Sequence, residues 1–420
     1  MTDQLKVDTE RLWSALEELG SFGRYEAPEA NLFGVSRPAF SPADVAARRW
    51  IMARMEELGL TVQIDPVGNV FGRLEGSDPG RSPVVIGSHV DSVPQGGAFD
   101  GALGVLAALE VVRTLRSAET VLRGPLIVAV FTEEEGSRFG VDMLGSAVAA
   151  GRIPLAEALA LRDPDGVTLA EALRDTGFAG TGLVLDAPLA YLEVHIEQGP
   201  LLSSSDSDIG VPTGVQAISW HELTVVGQAA HAGATPPRLR RDAARTATRL
   251  ADRMFEYASD HQDHGLTATV GRMLLEPGVI NIIPGAARFS LDMRAPDDEV
   301  LTAAEAHLSA LVEEVHAEGT GLVCESRRTV RTRPVPFAEP LRQIVASWAE
   351  RLGYRHQPLI SGAGHDAQEM AALCPSAMIF VPGRHDGISH SPREYSEPAA
   401  CAKAATLLLH VVRTLCEESP

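Results

Sequence analysis

Cysteine is scarce: Cys324, Cys374, Cys401 and Cys416 are the four in 420 residues, and none stands in C-x-x-C spacing. That scatter excludes a disulfide framework and a zinc ribbon and fits reduced thiols in a cytoplasm, the expected location. Long apolar runs are also missing. None approaches the roughly 20 residues that span a bilayer, and Met1 to Asp8 carries no apolar signal region. Basic residues are in the minority, 36 against 56 acidic, for a formal net charge of −20. So acidic a surface disfavours nucleic acid and anionic membrane as partners. Internal repeats are absent, and the one biased tract is the Ser203-Ser204-Ser205-Asp206-Ser207-Asp208 loop. What remains is ordinary globular composition, 45% hydrophobic and 22% charged, with length for two or three domains.

Ser41-Pro42-Ala43-Asp44 opens a helix: Ser41 can cap, Pro42 suits the first turn, and Gly59 supplies the stop. Short strands follow at Leu60 to Ile64, Val67 to Leu74 and Val84 to Ser88. A helix rich in Ala and Leu then runs from about Gly101 to Leu115, with further strands at Leu126 to Phe131 and Leu189 to Val194. Strands alternating with helices predict an α/β domain with a mostly parallel sheet. The unbroken apolar run Leu126 to Phe131 suits a strand buried on both faces.

Near residue 213 the pattern changes. His221 to Val226 alternates, a helix carries Ala243, Ala247, Leu250 and Met254, and strands follow at about Thr267 to Met273 and Ala287 to Arg294. A second helix carries Val300, Ala304, Leu308, Leu311 and Val315, and a last strand lies near Leu322 to Arg327. This order predicts a compact α+β, ferredoxin-like insert with an antiparallel sheet. After the Pro/Arg-rich linker Arg331 to Pro336, a strand at Ala377 to Val381 and a closing helix from Pro398 restore the α/β pattern. The expected division is 1–212 with 331–420 as a metal-binding catalytic domain, and 213–330 as the insert.

The chemistry gathers at strand ends. His89 follows a buried strand in Gly87-Ser88-His89-Val90-Asp91-Ser92, where open α/β sheets place ligands. Asp91 is placed to support the second nitrogen of that histidine. Asp100 stands in Gly96-Gly97-Ala98-Phe99-Asp100-Gly101; read alone it would be a helix N-cap, but with free oxygens it can bridge two cations. No Lys-Ser/Thr follows these glycines, which argues against a phosphate cradle. Glu134 and Glu135 end the buried run in Glu133-Glu134-Glu135-Gly136-Ser137-Arg138-Phe139. Adjacent carboxylates repel unless a cation sits there. One can bind metal while the other takes a proton from attacking water. His195 closes a strand in His195-Ile196-Glu197-Gln198-Gly199-Pro200, and His390 lies in Ser389-His390-Ser391-Pro392-Arg393-Glu394-Tyr395-Ser396. Each histidine alone is more often structural. Together with the carboxylates they form a mixed N/O set suited to Zn, Mn, Co or Ni. In the insert, His231 lies on the loop Gln228-Ala229-Ala230-His231-Ala232-Gly233, Asn281 in Gly278-Val279-Ile280-Asn281, and Arg294 at a strand end. An amide and a guanidinium suit a carboxylate-bearing substrate. Alone, Arg294 would be a surface arginine paired with Asp297 or Asp298.

These segments, in this order, resemble the dinuclear metallo-amidohydrolases related to aminoacylases and zinc carboxypeptidases. The His195-Ile196-Glu197-Gln198-Gly199-Pro200 and Gly362-Ala363-Gly364-His365-Asp366-Ala367 segments are most similar to the branch of N-carbamoyl-L-amino-acid hydrolases, β-ureidopropionases and allantoate amidohydrolases. The likeness runs from about Leu12 to the C-terminus. It implies two divalent ions, one on His89, Asp100 and His195 and the other on Asp100, Glu135 and His390. It also implies Glu134 as general base and His231 as oxyanion stabiliser reaching into a neighbouring subunit's site. Gln198, Asn281 and Arg294 would contact the substrate, a small carboxylate-bearing molecule, with Arg294 on the carboxylate. The insert would serve as a dimerisation and lid domain of a homodimer. The implied reaction is hydrolysis of the carbamoyl C–N bond, with allantoate or ureidopropionate, and less readily a dipeptide, as alternative substrates.

Overall fold

The computed structural model describes residues 5–27, 32–182 and 185–417. Met1 to Gln4, half of the stretch examined for a signal region, lie outside the described residues. The chain divides into two compact units, one running to Gly214 and resuming at Pro336, the other Val215–Val335.

The first unit is built on a nine-stranded sheet. Its centre is four neighbouring parallel strands, in the order Ser376–Val381, Ala190–Ile196, Val84–His89 and Leu126–Phe131. Every residue of these four strands is buried, as a sheet covered by helices on both faces requires. The flanks are antiparallel: Val70–Leu74 and Thr61–Ile64 continue one edge, and Ile209–Val215 pairs with Ser376–Val381 on the other. The sheet is therefore mixed, with a parallel centre.

Helix Ala102–Ser117 packs on strand Val84–His89, and helix Pro398–Glu417 packs on that helix. The latter corrects one expectation, because among the described residues it is long and apolar enough to cross a membrane by length and composition. Most of it is buried within the unit, where Cys401, Leu407, Leu408, Val411 and Val412 join the core. Helix Pro42–Glu57 starts as its sequence dictates: Ser41 Oγ accepts the Asp44 amide, and Gly59 turns the chain away with φ +74°.

The second unit has its own core. Strand Ala217–Val226 lies between Ala286–Ala295 and Val323–Arg331, and Ala286–Ala295 also pairs with Thr267–Thr269 and Met273–Glu276, all antiparallel. Helices Ala243–Asp260 and Asp298–Ala317 cover one face with Leu250, Met254, Leu301, Leu308 and Leu311. The β-α-β-β-α-β order and this strand arrangement are ferredoxin-like.

Candidate functional site

The four parallel strands end side by side, and the loops leaving their carboxyl ends carry the predicted ligands. This is where an open α/β sheet exposes a crevice. His89 is the last residue of its strand, Glu133 to Glu135 follow Phe131 after Thr132, His195 is next to last in its strand, and His390 lies on the loop after Val381.

These side chains converge on Asp100. Its Oδ1 lies 3.5 Å from His89 Nε2 and 3.1 Å from His195 Nε2, while its Oδ2 lies 3.6 Å from His390 Nε2. His390 Nε2 is 3.1 Å from Glu135 Oε2, and Glu134 Oε2 is 3.4 Å from His89 Nε2. His89, Asp100 and His195 thus form one group able to hold a cation, and Asp100, Glu135 and His390 a second, with Asp100 common to both. A helix-capping role for Asp100 is ruled out, since helix Ala102–Ser117 begins at Gly101 without a side-chain cap.

The local chemistry suits a divalent ion. His89 Nε2 is fully buried with no hydrogen-bond partner, a costly state that a ligand bond would relieve. His89 Nδ1 faces the Asp91 carbonyl at 3.0 Å, and His195 Nδ1 the Ile196 carbonyl at 2.9 Å; both rings are thereby oriented with Nε2 towards Asp100. Before any cation is counted, burial opposes the charged form of His89, but Glu134, Asp100 and Asp91 outweigh it and hold the ring well above its ordinary pKa. Burial lifts Glu134 well above the usual carboxylate range; His89 opposes this, and Asp366, Glu135 and Asp100 add to it. A carboxylate tuned upward is a better proton acceptor near neutral pH.

Three of these residues have partners of their own. The Asp91 carbonyl supports the His89 ring, while the Asp91 carboxylate stands 3.7 Å from His89 Nδ1 and accepts the amides of Glu134 and Glu135 at 3.4 and 3.2 Å. Gln198 donates to Asp100 Oδ2 at 2.7 Å. Arg294 pairs with Asp292, at 2.8 Å.

Glu133 settles which glutamates face the site. It takes φ +54°, its side chain is buried, and its Oε1 accepts the amides of Arg138 and Phe139. It folds the following loop back on itself and leaves Glu134 and Glu135 towards Asp100. Gln198 and His390 share this left-handed backbone, at φ +58° and +52°. Such strain in non-glycine residues concentrates where surroundings fix a functional geometry.

Residues that sequence reasoning left without a role surround the centre. Glu193 accepts Ser88 Oγ at 2.6 Å and the Ala367 amide at 2.9 Å, and with His195 and His365 it forms a third buried group of ligand type. Ser389 and Glu394 contact Asp100 itself. The signal for these was present, because His365 and Ser389 to Glu394 lie in the segments that carried the resemblance.

His231, Asn281 and Arg294 belong to the second unit. His231 and Asn281 are exposed and adjacent: Ala230-His231 pairs with Ile282-Ile283, and the Asn281 carbonyl accepts the Ala232 amide at 3.0 Å. His231 Nδ1 accepts the amides of Gly233 and Ala234, each at 3.1 Å. The ring proton therefore resides on Nε2.

Comparison with known proteins gives the family. Residues 85–414 match the model of peptidase family M20/M25/M40. An N-carbamoyl-L-amino acid amidohydrolase of Geobacillus stearothermophilus is 38% identical over 98% of this chain and 99% of its own. An allantoate amidohydrolase of Bacillus subtilis is 35% identical over 86% of this chain and 88% of its own. The crystal structure of an amidase of the hydantoinase/carbamoylase family from Burkholderia multivorans superimposes with a TM-score of 0.93 at 41% identity, covering 99% of this chain and 100% of that one. The chain is thus a hydrolase acting on amide C–N bonds, and it belongs to the M20/M25/M40 peptidase family.

Proposed function

We propose that this protein hydrolyses the carbamoyl C–N bond of N-carbamoyl-L-amino acids, giving the amino acid, ammonia and carbon dioxide. The observation that carries the reading is Asp100, which presents one oxygen to His89 and His195 and the other to His390 beside Glu135. These residues would hold two divalent ions, of Zn, Mn, Co or Ni. Such ions supply Lewis acidity and lower the pKa of water. Glu134 takes the proton of the attacking water and returns it to the leaving nitrogen. His231, with its proton on Nε2, donates to the developing oxyanion. Gln198, once released from Asp100, and Asn281 contact the ureido group, and Arg294 holds the carboxylate.

Strand geometry supports a homodimer built through the insert. The His231 loop adjoins the Ala286 end of strand Ala286–Ala295, whereas Arg294 lies at the other end. Eight residue steps of extended strand lead from Ala286 to Arg294, about 27 Å at roughly 3.4 Å per step. One small substrate does not bridge that distance, so His231 and Asn281 serve the neighbouring subunit's site while Arg294 serves another. The insert then acts as dimerisation and lid domain.

A second reading, allantoate as substrate, draws on the Bacillus subtilis relative. The deciding experiment measures ammonia release from an N-carbamoyl-L-amino acid and from allantoate, with Mn- or Zn-reconstituted protein and a chelator control. Chelator-sensitive release from the carbamoyl amino acid supports the proposal. Release from allantoate alone replaces it with the second reading, and release from neither overturns both.

A further inference from the structure

Asp100 can face two ligand groups only if its loop is held from behind, and the residue that does this comes from the far end of the chain. Glu394 is buried. Its Oε1 accepts the amide of Phe99 at 2.8 Å and that of Asp100 at 3.0 Å. Its Oε2 accepts Ser389 Oγ at 2.8 Å, and the same hydroxyl lies 2.7 Å from Asp100 Oδ2. Glu394 therefore grips the backbone of Asp100 directly and its side chain through Ser389.

The loop is shaped for this grip. A Cβ on Gly97 would overlap the Glu394 carboxylate, and a Cβ on Gly101 would overlap the His89 ring. The loop is confined between these two side chains, and glycine at both positions permits the close approach. Phe99 is fixed from outside by the rings of Tyr395 and Trp13, at centroid distances of 5.6 and 5.7 Å. The same segment controls His390. That residue is half exposed and takes the left-handed φ of +52°, so its own burial does not hold it in place. Its neighbour Ser389 is tied at both Asp100 and Glu394.

We infer that Glu394 is a positioning residue that sets Asp100 and His390 in the register needed to share one pair of cations. This rests on the two-ion reading above, although the hydrogen bonds that define the clasp stand without it. Supporting groups of this kind typically change metal affinity ~10- to 100-fold when removed.

The test compares Glu394→Ala, Glu394→Gln and Ser389→Ala with the parent. Hydrogen exchange on metal-free protein reads the amides of Phe99 and Asp100. Co(II) titration followed by visible absorption reads the number and affinity of bound ions. Glu394→Ala should lose protection at Phe99 and Asp100 and bind the second Co(II) at least ~10-fold more weakly, with little change in the metal-free melting temperature. Glu394→Gln keeps an amide acceptor and should restore most of both. Unchanged exchange and Co(II) binding in Glu394→Ala would overturn the inference, as would a Glu394→Gln variant no better than Ala. Should Glu394→Ala fail to fold, Ser389→Ala decides: it removes one hydroxyl and must weaken the second ion, and parent-like binding there overturns the inference. A parent that binds fewer than two ions would overturn the two-ion reading alone, because the exchange result is read without metal.

Discussion

Asp91 accepts the backbone amide of Glu135 at 3.2 Å, joining the loop after His89 to the loop that carries the paired glutamates. Its other oxygen takes the Glu134 amide at 3.4 Å. One buried carboxylate thus fixes where both glutamates project. Its removal should leave two amides without partners and let both side chains drift. Asp91→Ala is expected to weaken metal binding ~10- to 100-fold, and Asp91→Asn, which retains one acceptor oxygen, less. Isothermal titration of metal-free protein measures this, and equal affinities for parent and Asp91→Ala would count against the account.

Glu134 is an acidic side chain beside His89 Nε2 that belongs to neither ligand group around Asp100. Glutamine at this position keeps the shape and removes the basic oxygen. Glu134→Gln should lower kcat by ~10²- to 10⁴-fold, the range for loss of a general base, while metal content per chain stays at the parent value. Near-normal turnover, or loss of metal in step with activity, would remove Glu134 from the role of base.

The legible parts of this molecule were those whose signals are local. Leu126–Phe131 could be placed to the residue because an unbroken apolar run of six suits a strand buried on both faces. The short segments around the ligand-type residues His89, Asp100, Glu135, His195 and His390 drew attention to them. Less visible was anything set by a distant partner. The antiparallel flanks of the central sheet follow from pairing, which no single strand encodes. Glu394 reads as one more acidic residue until Phe99 and Asp100, almost three hundred positions earlier, are brought against it. Helix Leu169–Thr176 is a different case: Thr168 and Glu171 form a capping box and Gly177 ends it, so a readable signal passed unread.

All four cysteine side chains are buried, and burial pushes Cys324 and Cys374 up to about 11 and Cys401 and Cys416 up to about 12. Thiols so placed present almost no thiolate at pH 8 and no accessible sulfur. The native protein is expected to resist a disulfide-exchange reagent such as DTNB, and to release four equivalents on denaturation. Rapid labelling of the native protein at any one of the four would show that site to open.

His221, in the Val215–Val335 unit, offers a pH test. It sits in strand Ala217–Val226 with Ser219 Oγ and Ser326 Oγ each 3.0 Å from its ring nitrogens. Burial lowers its pKa, Arg328 adds to this, and Glu305 opposes it without prevailing. A histidine lowered on folding contributes stability that is complete above its unfolded value, near ~6.5, and that is lost as pH falls through the lower folded value. The Val215–Val335 unit should therefore lose stability on acidification below neutrality, and His221→Gln, which cannot titrate, should lose less. NMR titration of the His221 ring and hydrogen exchange along Ala217–Val226 between pH 7.5 and pH 5 supply both readouts. A ring that titrates at or above ~6.5, or equal acid sensitivity in parent and variant, would mean that Glu305 governs the group after all.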